Sequence, residues 1–138
     1  KCVLLGEGHI EKEVFELLND KYINDEKMMY IHSEVIFGKC FMPWVIECLH
    51  LCNLKVIGLF DTDSNNAKHM NCNQLIETLA DSKISFSPEI ENRLLLPHID
   101  NSSKVKQNVI KLRQNYVSGN TEIENLLEEI YNLIITLV

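Results

Sequence analysis

Long apolar runs are missing from this 138-residue chain. No stretch approaches the roughly 18 uncharged apolar residues that a membrane helix requires. The opening run, Lys1 to Leu5, is too short to serve as a secretory signal. Basic residues are also scarce: 13 Lys and Arg stand against 20 Asp and Glu, a net charge of -7. That balance excludes a broad phosphate-gripping surface, because nonspecific nucleic-acid affinity comes mainly from Lys and Arg. An acidic domain can still act on nucleic acid if bound metal neutralises its carboxylates and basic surface comes from elsewhere. Nothing reads as a G-x-x-x-x-G-K phosphate loop. The five cysteines include no C-x-x-C pair, which excludes the usual zinc spacings. They are expected to be free thiols of a reduced, cytoplasmic protein. His9, His32, His50, His69 and His98 form no catalytic spacing. An initiating Met is missing too, so the chain is expected to be a fragment or a processed product.

What is present suits one α/β domain. Hydrophobic residues make up 46% of the chain and charged residues 24%, the balance of a globular protein with a useful core. Apolar runs predict strands over Lys1–Gly6, Met28–Val35, Leu54–Phe60 and Lys83–Phe86. Helical spacing predicts helices over Glu11–Tyr22 and Phe41–Cys52, the second with Pro43 in its first turn and Trp44, Val45, Leu49 and Leu51 inward. The phenylalanines are likewise expected in the core. Ser64–Asn73 reads as a loop or helix start, Gln74–Asp81 as a helix, and Pro88 opens another through Leu95. Two helices follow, Ser103–Tyr116 and Thr121–Leu137, with a Thr121-x-x-Glu124 capping box. Alternation of strands and helices favours a parallel sheet. Residues 1–100 form the expected core and 101–138 a helical part of the same domain, packed on the sheet or on a partner.

In such sheets functional groups gather at the carboxyl ends of strands. Glu7-Gly8-His9-Ile10-Glu11 follows the first strand, and Asp61-Thr62-Asp63 ends the strand from Leu54. If the two strands are neighbours, four carboxylates converge, with no Lys or Arg expected nearby and a cation as the natural compensation. All-oxygen ligands suit Mg²⁺ or Mn²⁺ better than zinc. The bland alternative makes Asp61 a helix cap and Glu11 a favourable first-turn acid.

The run Val3-Leu-Leu-Gly-Glu7-Gly8 resembles the first motif of the topoisomerase-primase (Toprim) domain, and Asp61-Thr-Asp63 resembles its Asp-x-Asp motif. Glu11, four residues after Glu7, and Gly38-Lys39 followed by Phe41, Trp44 and Leu49 look most like the overcoming-lysogenization-defect (OLD) nucleases of that fold. The resemblance covers residues 1 to 97. It implies a Toprim-like, Rossmann-like parallel sheet, with Glu7, Glu11, Asp61 and Asp63 as metal ligands. It also implies a further acid ahead of a helix, Glu91 or secondly Glu89, and a late functional Lys, Lys104 or Lys106. Gly6 stands where the family carries an apolar residue, a departure expected to loosen the strand end. The family places this domain behind an ATP-binding cassette ATPase, so the expected partners are DNA and an ATPase domain in the same or a partner chain. A homo-oligomer and a phage-defence setting are compatible with it.

The expected chemistry is two-metal hydrolysis of a DNA phosphodiester, with ions roughly 3.5–4 Å apart and Lys104 or Lys106 offsetting phosphate charge. A topoisomerase would need a nucleophilic Tyr, and Tyr22, Tyr30, Tyr116 and Tyr131 sit in no suitable context. The rival outside this class is a noncatalytic or receiver-like interaction module with a degenerate site.

Overall fold

The structure, a computed structural model, describes residues 1–63, 66–97 and 102–138, with side chains in the last segment from residue 105 onward. Four strands, β1 (Cys2–Gly6), β2 (Ile31–Val35), β3 (Lys55–Asp61) and β4 (Ser82–Phe86), form one sheet in the order β2-β1-β3-β4. Every pairing is parallel, with Val3 beside His32 and Val56, and Asp61 beside Phe86. The architecture is therefore α/β with a Rossmann-like parallel sheet flanked by helices. Among the described residues no helix is long and apolar enough to cross a membrane.

Strand alternation sorts the core into two layers. Cys2, Leu4, Ile57, Leu59 and Phe86 face one side, where they meet Val14, Phe15, Leu17 and Leu18 of α1 (His9–Lys21). The same layer takes Leu112 of α5 (Ser102–Val117) and Ile123, Leu126, Leu127, Ile130 and Ile134 of α6 (Thr121–Leu137). The C-terminal helices thus belong to this layer, α6 packing on α1 and β3. Val3, Leu5, Val56 and Phe60 face the other side, against Met42 and Ile46 of α2 (Met42–Leu51) and Ile76 of α3 (Ala67–Leu79).

Several local expectations need correction. Met28–Tyr30 belongs to a 3-10 turn, and β2 starts at Ile31. Helix α3 starts at Ala67, because Asn66 caps it by accepting from the His69 N–H. The Pro88 helix shrinks to α4 (Ile90–Arg93). Asn120, not Thr121, caps α6 by accepting from the Ile123 N–H at 3.1 Å. On α2 the buried positions include Met42 and Ile46, one turn apart, so Trp44 between them faces outward. Trp44 and Leu51 are exposed, as are Phe37 and Phe41, against the expectation that they fill the core. Cys40 and Cys72 are joined in a disulfide with Cα atoms 5.3 Å apart, while Cys2, Cys48 and Cys52 are free thiols. The bond ties the turn before α2 to the middle of α3, two segments that the second layer packs together.

Gly6 does not loosen its strand. It is buried inside β1 and paired with Val35. A Cβ at this position would stand 2.5 Å from Glu11 Cβ, so glycine is what lets α1 lie against the strand end.

Candidate metal centre

The chain leaves β1 toward β2 on one side and reaches β3 on the other, so the carboxyl ends of β1 and β3 border the crevice of the sheet. Glu7 follows β1 directly and Asp61 is the last residue of β3. Glu11 comes from the first turn of α1, pulled in by the close approach at Gly6. Glu7, Glu11 and Asp61 offer oxygens within 4.8 Å of one another, and Asp61 shares a second such group with Glu89 and Glu91. Both Glu89 and Glu91 therefore reach the position that the sequence offered to one of them. Asp61 is common to the two groups.

Backbone N–H groups hold the carboxylates in place. Glu7 Oε2 accepts from the Asp61 N–H, bridging the two strand ends. Asp61 Oδ1 accepts from the Ile90 N–H at 2.8 Å, and Glu11 Oε2 accepts from the Gly8 N–H at 3.1 Å. These anchors are fixed by the chain itself and do not need a ligand to form.

Burial and mutual repulsion then load the cluster. Burial, reinforced by the nearby Glu7 and Glu91 charges, pushes the Glu11 carboxyl up to about 8. Asp61 is pushed up to about 9, first by burial and then by Glu11 and Glu7. Glu7 is raised as well by burial, although the Asp61 N–H and Lys39 pull it back. At neutral pH these groups must keep protons or share a cation. An all-oxygen donor set of that kind fits a hard divalent ion.

Asp63 belongs to neither group of converging oxygens, although its charge helps to raise Glu7. Its backbone is left-handed, at φ 44°, a conformation that Asp tolerates better than most residues. Its Oδ2 lies 2.8 Å from Lys39 Nζ and 3.4 Å from His69 Nδ1. Lys39 is the residue that sequence reasoning missed as part of the site, and it corrects the expectation of carboxylates without a nearby cation. Its side chain is 1% exposed, its Nζ donates to the Asp61 carbonyl, and it lies 4.0 Å from Glu7 Oε1. A signal did exist in Gly38-Lys39, a cation just past the end of a strand that parallels β1. Of the two late lysines, Lys106 is exposed on α5, and the side chain of Lys104 lies outside the described residues.

No protein-family profile matches the chain, and no curated protein or solved structure matches it either.

Proposed function

We propose that the chain is a Toprim-type, divalent-metal-dependent nuclease domain of the OLD kind, hydrolysing phosphodiester bonds in DNA. The observation that carries this reading is the convergence of Glu7, Glu11 and Asp61 with Glu89 and Glu91 at the ends of β1, β3 and β4. It is supported by the order in which the acids occur: Glu after the first strand, Asp-x-Asp after the third, Glu after the fourth.

Mg²⁺ or Mn²⁺ would be held by Glu7, Glu11 and Asp61, and by Asp61 with Glu89 and Glu91. Such an ion, when bound, polarises a phosphoryl oxygen and makes water nucleophilic near neutral pH. The chain's own residues do the rest. The N–H groups of Gly8, Asp61 and Ile90 aim the carboxylates, so little reorganisation is needed on ligand entry. Lys39, locked beneath the Asp61 carbonyl and Asp63, is a positioning residue that sets the direction of the β3 terminus. The acidic surface leaves the holding of DNA to basic surface elsewhere, in agreement with a partner ATPase domain.

The test is nicking of supercoiled plasmid in Mg²⁺ or Mn²⁺ by the wild type and by Asp61→Asn, with divalent binding followed by calorimetry. Metal-dependent nicking that drops at least 100-fold in a folded Asp61→Asn protein is the expected result. A folded wild type that neither nicks nor binds either ion overturns the proposal. Binding without nicking would favour the noncatalytic interaction module.

A further inference from the structure

The segment Asp61-Thr62-Asp63 is gripped by side chains from two sides, and each grip has a residue directly beside one sulfur of the Cys40–Cys72 bond. From the turn before α2, Lys39 donates to the Asp61 carbonyl and lies 2.8 Å from Asp63 Oδ2. From α3, Asn73 Nδ2 donates to the Thr62 carbonyl at 2.6 Å, and His69, about one turn earlier, places Nδ1 3.4 Å from Asp63 Oδ2. Lys39 adjoins Cys40, and Asn73 adjoins Cys72. The disulfide therefore fastens together the two arms that hold the end of β3.

What these arms hold decides the shape of the metal centre. Asp61 is the carboxylate common to both groups of converging oxygens. Its N–H also fixes Glu7 Oε2, so a shift of its backbone moves two candidate ligands at once. On the remaining side, the Thr62 and Asp63 N–H groups donate to the Phe86 and Pro88 carbonyls, at 2.8 and 3.3 Å. Those main-chain bonds do not depend on the disulfide. Neither does the apolar layer that Met42 and Ile46 of α2 share with Ile76 of α3. Opening the disulfide thus loosens the grip on the β3 end without dismantling the fold. Cys72 is buried but Cys40 is partly exposed, so a thiolate reaches the bond from the Cys40 side.

We propose that the Cys40–Cys72 disulfide is a redox latch on the metal centre. Closed, it holds Asp61 in place for the ion; opened by a dithiol, it lowers the affinity for that ion. A thiolate of the dithiol attacks the Cys40 sulfur, the S–S bond breaks, and Cys72 leaves as a thiolate that takes up a proton. The second thiol of the reductant then displaces Cys40 from the mixed disulfide. The dithiol is oxidised by two electrons to a disulfide, and its two protons end on Cys40 and Cys72. The inference rests on the reading of the carboxylates as a metal centre.

The experiment first counts thiols in denaturant with a chromogenic aromatic disulfide: three for the chain purified without reductant, and five after dithiothreitol. Mn²⁺ binding is then followed by calorimetry in the oxidised chain, in the reduced chain freed of dithiol, and in Cys40→Ser/Cys72→Ser. Amide exchange of the metal-free forms is measured in parallel. Reduction is expected to weaken Mn²⁺ binding about tenfold, the scale of loss when an outer support of a metal ligand is removed. Reoxidation should restore the affinity, and the double variant should match the reduced chain and ignore the dithiol. The Thr62 and Asp63 amides should exchange about tenfold faster after reduction, with those of Ile57 and Leu59 unchanged. Equal Mn²⁺ affinity in the oxidised and reduced forms overturns the latch and leaves the metal-centre reading standing. Unchanged exchange at Thr62 and Asp63 also overturns it, because the grip then does not depend on the bond. If neither form binds Mn²⁺, the metal-centre reading falls, and the latch with it. Five thiols in the absence of reductant overturn the latch outright, as does a reduced chain that loses its far-ultraviolet circular dichroism, for which the bond is a staple of the whole fold.

Discussion

Helix α1 carries acids on two of its faces, and the protein treats them in opposite ways. On the outer side, toward α5, the buried Glu13 and the more exposed Glu16 and Asp20 gather around one guanidinium: Arg113 Nε pairs with Glu13, and its other nitrogens lie 3.0 Å from Glu16 and 4.0 Å from Asp20. On the inner side, Glu11 joins Glu7 and Asp61 at the strand ends, where burial and like charge lift the carboxyls well above their ordinary range. The one cation found there among the described residues, Lys39, points mostly at the Asp61 carbonyl and at Asp63. Compensated acids fasten helix to helix. Acids left short of positive charge hold a place for something that brings it.

The sharpest way to break this contrast is to supply a divalent ion at two pH values. Glu11 and Asp61 titrate ordinarily near 4.5 and 3.8, and folding raises them to about 8 and about 9. Between about pH 4 and pH 9 the folded chain therefore binds more protons than the unfolded one, and metal-free stability falls as the pH rises through that window. Metal must displace those protons, so its benefit runs the other way. A fixed Mn²⁺ concentration, about 100 times the Kd at pH 8.5, should add about 2.7 kcal/mol there and far less at pH 5, read as the shift in melting temperature. Equal shifts at both pH values would mean that the raised carboxylates do not bind the ion.

Next in size is the inner cation. Lys39→Met breaks a buried hydrogen-bonded pair, which usually costs several kcal/mol when one partner is removed. Asp63 is about one third exposed and can regain water, so a loss of about 2 kcal/mol is expected in urea unfolding. A variant as stable as the wild type would show that Lys39 does not fix the β3 terminus. Smallest is the outer cation. Arg113 is 46% exposed, and Arg113→Ala should cost less than about 1 kcal/mol. Its Mn²⁺ titration should overlay that of the wild type, and a weakened affinity would erase the distinction between the two faces.

Much of this arrangement was legible in the chain before any coordinates. The apolar runs ending at Gly6 and Phe60 announce buried strands, and acids directly after such runs fall at the carboxyl edge of a parallel sheet by geometry alone. Lys39 was harder to read, because its partners lie 22 and 24 residues away, and only the parallel pairing of β2 with β1 brings Val35 beside Gly6. The Cys40–Cys72 bond hides for a similar reason, spanning 32 residues from the turn before α2 to the middle of α3, whose packing no local pattern encodes. Trp44 and Leu51 misled because α2 is apolar on more than one side, so period alone could not select the inward face.

The 2.5 Å gap between a Cβ at position 6 and Glu11 carries a consequence for how variants and relatives should be recognised. Positions 6 and 11 form a linked pair: because the clash is with the Glu11 Cβ itself, Ala or Val at the first forces α1 outward unless the second is glycine. A saturation library that scans them singly would record an intolerant glycine and a sensitive acid, and would miss that each sets the limits of the other. A search pattern built on Gly-Glu followed by Glu four places on, in place of an apolar residue before the first Glu, would select chains that hold the helix this close.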